Sequence, residues 1–373
     1  MPPFASAWAS GSEARELVNT CLGRLGDVPP GASLGFLYAS DALARELEHI
    51  LHLLQQGTGV RHWVGSLGMA LAATARELYD QPALAILVTD LPREAWRLLP
   101  NLTSDVRGHV AAEAAWLAGQ PSPFGVLHGD PTNPATPTLV EQLSEALGEG
   151  FFTGGLTSSQ SLNLQVADTV VSGGVSGVLF DAAVPVIADH TQGCTPIGPV
   201  HTVTEASRNI VAALDGENAL AVLRRDVGEV LSRDLNRMAG YIFAGLPLAG
   251  SDRGDYMVRN LIGIDPERGL LAIGDMLQPG DRLLFCRRDG NTARDDMEAM
   301  LARLRDHCAG RQPRGALYFS CLGRGRHQFG ADSAELRMID AVFPDLPLAG
   351  FFANGEIFHN RLYGYTGVLT LFL

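Results

Sequence analysis

The chain contains no lysine: all 28 basic residues are arginine. That excludes a Schiff-base lysine, a pyridoxal-phosphate site, the phosphate-binding lysine of a P-loop and the kinase lysine. Cysteine is scarce, five in 373 residues, and no two show C-x-x-C spacing. Neither a disulfide framework nor a zinc knuckle is indicated, and no metal or other cofactor is expected. Positive charge is outnumbered, 28 against 41 acidic residues for a net −13, which argues against a nucleic-acid partner. The first fourteen residues lack basic charge and carry Glu13, unlike a secretory signal. The best apolar run, Gly240 to Gly250, is too short to cross a membrane and contains Pro247. A cytoplasmic protein without a membrane span is therefore expected. With 46% apolar and only 18% charged residues, the chain can bury a large core. Its length predicts two or three domains.

An internal repeat emerges when apolar runs are aligned with the glycines that follow them. The first copy runs from Leu34 to Tyr38, through a helix with Leu43, Leu47, Ile50, Leu51 and Leu54 on one face, into Val64-Gly65-Ser66. The second runs from Phe124 to Leu127, through Leu139, Leu143 and Leu147, into Gly154-Gly155. The third runs from Gly315 to Ser320, through Leu336 to Val342, into Gly350-Phe351-Phe352. Each has the size of a βαβ unit, and each is followed by an apolar strand: Leu84 to Val88, Val178 to Phe180, and Val368 to Phe372. The repeating unit reads strand, helix, strand, strand.

Different material separates the second and third copies. Val258 to Ile264, Leu270 to Ile273 and Arg282 to Cys286 alternate with Asp265-Pro266 and Pro279-Gly280-Asp281, which predicts an antiparallel meander. A helix capped by Thr292 is expected to bury Met297, Met300, Leu301 and Leu304 as core filler. The Asp215-Gly216 turn, followed by an amphipathic helix with Leu220, Leu223, Val227 and Leu231, suggests a domain boundary near 216.

Several segments could carry chemistry. Gly323-Arg324-Gly325-Arg326 follows a strand but lacks the third glycine of a dinucleotide fingerprint. Val64 stands where the first glycine of a nucleophile elbow would be. His49 and His52 share a helix face without a third ligand. Cys194 lies near His190 and His201, which fits either a Cys–His nucleophile or a buried thiol at a turn. Arg259 interrupts an apolar strand, so it either pairs within the fold or awaits a ligand carboxylate.

Taken together, Gln192 to Gly198, Leu214-Asp215-Gly216, Tyr256 to Gly263, Phe319 to Gly325 and Ala349 to Ile357 resemble the FIST family, with its N-terminal and C-terminal domains. The resemblance spans about Leu34 to Phe372. It implies a sensory, signal-transducing module that binds a small polar ligand such as an amino acid. Two departures stand out. Gly65-Ser66-Leu67 replaces a Gly-Cys-Ser motif of many relatives, and Phe358-His359-Asn360-Arg361 replaces a longer glycine-rich loop. Too few residues precede the first strand for the F-box of eukaryotic relatives, and no output domain follows, so a separate signalling partner protein is expected.

The expected fold is α/β, with mixed sheets built from repeated strand-helix-strand-strand units in two tightly associated domains, residues 1–216 and 217–373. The expected function is ligand sensing, for an amino acid or similar carboxylate. The alternative is a cysteine-dependent amide or ester hydrolase using Cys194 or Cys321, with His190 or His327 as base. The ligand contacts expected are Gly193, Cys194, Arg259, Asn260, Ser320, Cys321, Arg324, Gly355 and Glu356, with no catalytic residue among them. Arg259 and Glu356 are the pair expected to hold a zwitterion.

Overall fold

The three repeats form three sheets, and each contributes strands to two of them. The computed structural model describes residues 4–118, 123–232, 241–248 and 256–373. Part of the 240–250 run and the Leu231 side chain lie outside the described residues. The chain divides into two compact units: Met1–Gln192 with Asp296–Leu373, and Gly193–Asp295.

In the first unit, strand Leu34–Ser40 crosses through helix Leu47–Thr58 to the parallel strand His62–Gly68. Strand Phe124–Gly129 likewise reaches Phe151–Leu156 through helix Thr136–Ala146. Strand Gly315–Cys321 reaches Leu348–Ala353 through helix Ala334–Val342. The strand that closes each repeat, Ala83–Thr89, Val175–Phe180 or Thr366–Phe372, pairs antiparallel with the first of the two.

The repeated glycine has a steric cause. Gly65, Gly154 and Gly350 occupy the same register position, opposite Leu37, Leu127 and Tyr318. A Cβ there would lie 1.7, 1.9 and 1.8 Å from the facing carbonyl oxygen, so only glycine fits. The next residue along each first strand is Tyr38, His128 or Phe319. These three rings meet in the core, with centroids 5.6–6.2 Å apart, and Phe351 packs against all of them.

Two further parts of the repeat escape the periodicity. A strand precedes each copy and edges its sheet: Phe4–Ser10, Trp96–Leu102 and Val186–Gln192. A hairpin follows each return strand and is passed to another repeat's sheet. The hairpin Leu71–Ala73/Arg76–Leu78 adds to the third repeat, pairing Leu71 with Phe351. Gln165–Ala167/Thr169–Val171 adds to the first, and Glu356–His359/Arg361–Tyr363 adds to the second. The exchange is cyclic, so no repeat completes its own six-stranded sheet.

The two compact units follow this exchange of strands. Residues 296–373 pack with the N-terminal half because their strands are built into its sheets. Residues 193–295 form an insertion between the leading strand and the rest of the third repeat.

That second unit is an antiparallel sheet closed into a ring. Arg282–Arg288 pairs with both His201–Ser207 and Ile242–Pro247. The circuit runs on through Ile210–Leu214, Leu270–Ile273 and Tyr256–Asp265. The expected meander is thus a hairpin, Tyr256–Asp265 with Leu270–Ile273, after which Arg282–Arg288 returns to other partners. Asp215 and Gly216 both take positive φ, forming the predicted turn. Helix Gly290–His307 begins earlier than Thr292 because the Asp289 carboxylate accepts the N–H groups of Asn291 and Thr292. Met297, Met300, Leu301 and Leu304 are buried, as core filler should be.

Candidate functional site

The parallel strands of the third repeat end at a buried cluster of charge. Gly315–Cys321 carries Tyr318, Ser320 and Cys321 to the loop that holds Arg324, and the crossover helix opens with Glu335. Tyr318, Arg324, Glu335, Ser320 and Glu356 are each 0% exposed, and Cys321 is half-buried. The Glu335 carboxylate accepts from Tyr318 Oη (2.7 Å), Arg324 Nε (2.8 Å), the Gly325 N–H (2.8 Å) and Ser320 Oγ. Those four donors match a carboxylate that burial would otherwise leave without partners. Burial pulls the Arg324 pKa down, but Glu335 and Tyr318 together push it up, so the guanidinium stays charged.

The cluster is not closed. Arg324 Nη1 and Nη2 have no hydrogen-bond partner among the described residues, and neither has Glu356 Oε1. Arg324 Cζ lies 4.9 Å over the Phe329 ring. Glu356 Oε2 accepts from the Thr366 N–H (3.1 Å) and Oγ1 (2.7 Å), and the Cys321 thiol lies against the same carboxyl. Burial pushes Glu356 up to about 8, although Thr366 and Arg324 pull the other way. Near neutrality Glu356 is therefore a proton donor, and Arg324 offers four N–H groups.

Ser320, Cys321, Arg324 and Glu356, with Gly355 beside it, are thus brought together by the first unit. Gly355 adopts φ 139° at the turn between Leu348–Ala353 and Glu356–His359. The other expected contacts belong to the second unit. Arg259 Nε donates to Asp275 Oδ2 at 2.8 Å, so its charge is spent within the fold. Among the described residues, buried guanidinium donors without a partner are both Nη groups of Arg324 and Nη2 of Arg288. Asn260 is exposed, and its carbonyl accepts the Gly274 N–H. The Gly193 carbonyl accepts the Asp289 N–H. Cys194 is buried on a strand paired with Arg282–Arg288, and its carbonyl accepts Tyr256 Oη at 2.7 Å.

All five thiols are free. The Cys321 thiol is pushed up to about 12, by burial and then by Glu356, which keeps it protonated. His201 cannot serve Cys194 as a base, because Nδ1 donates to Asp215 (2.6 Å) and Nε2 to Asp226 (2.8 Å). His190 packs on Phe358 with ring centroids 4.4 Å apart. No group of three or more metal-binding side chains occurs among the described residues.

Glu335 and Glu77 were not among the expected contacts. Glu335 has a signal in the sequence: it shares the buried face of its helix with Leu336 and Ile339, where a carboxylate needs a partner. Glu77 comes from the hairpin passed on by the first repeat, and no local pattern connects it to residue 335.

Among the described residues no helix is long and apolar enough to cross a membrane. The FIST N domain matches residues 33–217 and the FIST C domain residues 219–359. An uncharacterised protein of Mycobacterium bovis is 30% identical over 97% of this chain and 96% of its own length. One from Mycobacterium tuberculosis is 30% identical over 91% of each. The chain belongs to the FIST family, whose domains are sensory, signal-transducing domains.

Proposed function

We propose that the Arg324–Glu356 cluster is the ligand site of this sensory protein, and that the ligand is a small carboxylate such as an amino acid. The observation that carries this reading is the pair of unmatched Nη groups on a fully buried arginine. Buried donors without partners are costly, and a carboxylate matches the two-pronged guanidinium. Glu356 Oε1 then faces a second polar group, as an amino acid would supply. The hydrolase alternative gains no support, because the thiol nearest the cluster is held protonated. The five free thiols suit a reducing compartment, so the reading includes a cytoplasmic setting and a separate signalling partner.

The test is a melting-curve screen of the full chain against amino acids and short carboxylic acids, followed by titration calorimetry. A ligand at a hundred times its Kd stabilises by about 2.7 kcal/mol. Arg324→Lys should abolish the response, because a point charge cannot reproduce the bidentate geometry. A screen without any hit, or a hit whose affinity survives in Arg324→Lys, would overturn the assignment.

A further inference from the structure

We propose that the neighbouring cleft, floored by Glu77, is a binding site for a small organic ammonium ion. The cleft encloses about 450 Å³ and is lined by Glu77, Tyr79, Arg326, His327, Asp332 and Ser333. A volume of this size accommodates a small organic molecule. The cleft uses other residues than the carboxylate reading does, and it does not depend on that reading.

Three observations carry the assignment. First, Glu77 is only 9% exposed, and its Oε2, with the Tyr79 hydroxyl beside the carboxyl, meets no donor in good hydrogen-bonding geometry among the described residues. Its other oxygen accepts the Glu335 N–H at 3.2 Å, and its own N–H donates to Ser333 Oγ at 3.0 Å, so the carboxyl is held in place. Secondly, the cation in the wall is already spent. Arg326 grips Asp80 with both Nη groups and lies 4.3 Å over the Tyr79 ring. What remains facing the cleft is Glu77 and Asp332 against His327, an excess of negative charge. Thirdly, the acceptors are few and mixed with N–H donors. A divalent metal ion needs about six oxygens and would sit against Arg326, whereas an ammonium needs about three acceptors.

The groups facing Glu77 also predict how binding depends on pH. They are Tyr79 just past its own strand, Glu335 from the crossover helix, and Arg326, His327 and Asp332 from the loop between. Burial, and then the Glu335 charge, push Glu77 up to about 7. Below that pH an arriving ammonium must displace a proton from the carboxyl; above it the carboxylate is ready. Affinity should therefore be about tenfold lower at pH 6 than at pH 8.

The experiment uses the full chain with methylammonium and ethanolammonium, read by melting curves and calorimetry at both pH values. Potassium at matched ionic strength is the control. Both amines should raise Tm beyond potassium, more at pH 8 than at pH 6, and Glu77→Gln should remove the effect. Asp332→Asn is a second variant in case Glu77→Gln folds poorly. Asparagine tolerates the positive φ at 332, so this variant should fold and bind the amines a few-fold more weakly. No amine response at pH 8, a response that Glu77→Gln retains, or a flat pH profile would each overturn the proposal. A lost carboxylate response with an intact amine response would count only against the Arg324 reading.

Discussion

The second and third repeats place their first loop at the same point, yet they fill it in opposite ways. In the second repeat the strand runs into Asp130, which is 3% exposed and fully used. Its Oδ1 accepts the Thr132 N–H (2.8 Å) and Oγ1 (2.6 Å), and Oδ2 accepts the Gly173 N–H (2.8 Å). In the third repeat the loop buries Arg324, which satisfies Nε and leaves both Nη groups without a partner. One carboxylate ties down a turn with everything it has, while one guanidinium keeps donors in reserve. A buried polar group that closes on its own backbone explains the fold, and one that stays open asks for something further.

The largest expected effect comes from neutralising the open loop. Arg324→Met leaves Glu335 buried without its counter-ion, and breaking such a pair costs about 3–5 kcal/mol. Asp130→Asn keeps the shape and weakens hydrogen bonds, at about 1–2 kcal/mol. Urea unfolding of both variants checks the ranking. Equal losses would mean that the two loops do the same structural job.

The three glycines sharpen the comparison by testing whether the repeats really are equivalent. Gly65→Ala, Gly154→Ala and Gly350→Ala each push a methyl against a backbone carbonyl, which cannot swing aside as a side chain could. Overpacking of this kind costs about 1–3 kcal/mol or more, and the three losses should be similar. One well-tolerated alanine would show that its repeat has departed from the common geometry.

A third difference is written in pH. Glu356 is raised to about 8 in the fold, against an ordinary value of 4.5. Between those values the native state binds a proton that the unfolded chain does not, so this group's contribution to stability falls as pH rises. It is complete below about pH 4.5 and lost progressively up to about pH 8. Glu356→Gln cannot lose a proton, so its Tm should gain on the wild type steadily from pH 5 to pH 8. A constant gap across that range would show that Glu356 is already ionised.

The glycine phase and the strand-helix-strand-strand order were legible because both are local: one follows from steric contact across a parallel pair, the other from periodicity. The hairpin exchange was not legible, since Leu71–Ala73 bears no mark of the partner it finds at 349–351. The same holds for the site. Ser320, Cys321 and Arg324 lie on one strand and its loop, so sequence order groups these three, whereas Glu356 arrives after the glycine turn that ends the return strand. Glu77 reaches the cluster only through that exchanged hairpin. Arg259 misled because an arginine in an apolar strand announces a partner without saying which one. Its partner, Asp275, comes just after the strand that pairs with its own.

The smallest effect expected is at Arg259, where the second unit offers a contrast to Arg324. The Arg259–Asp275 pair is partly open to solvent, with side chains 20% and 33% exposed. Screening at such a position limits its worth to about 1 kcal/mol or less. Arg259→Lys keeps the charge and loses the fixed geometry of Nε, of Nη1, which donates to the Val258 carbonyl at 3.2 Å, and of Nη2, which donates to Met257 Sδ at 3.4 Å. Its Tm should fall slightly, and its response to carboxylates should match the wild type. Arg324→Lys should do the reverse for binding, because there the two-pronged donor is the point. Calorimetry and melting curves on the two lysine variants decide the matter. Lost affinity in Arg259→Lys with unchanged Tm would move the ligand site to the second unit and leave Arg324 as internal structure.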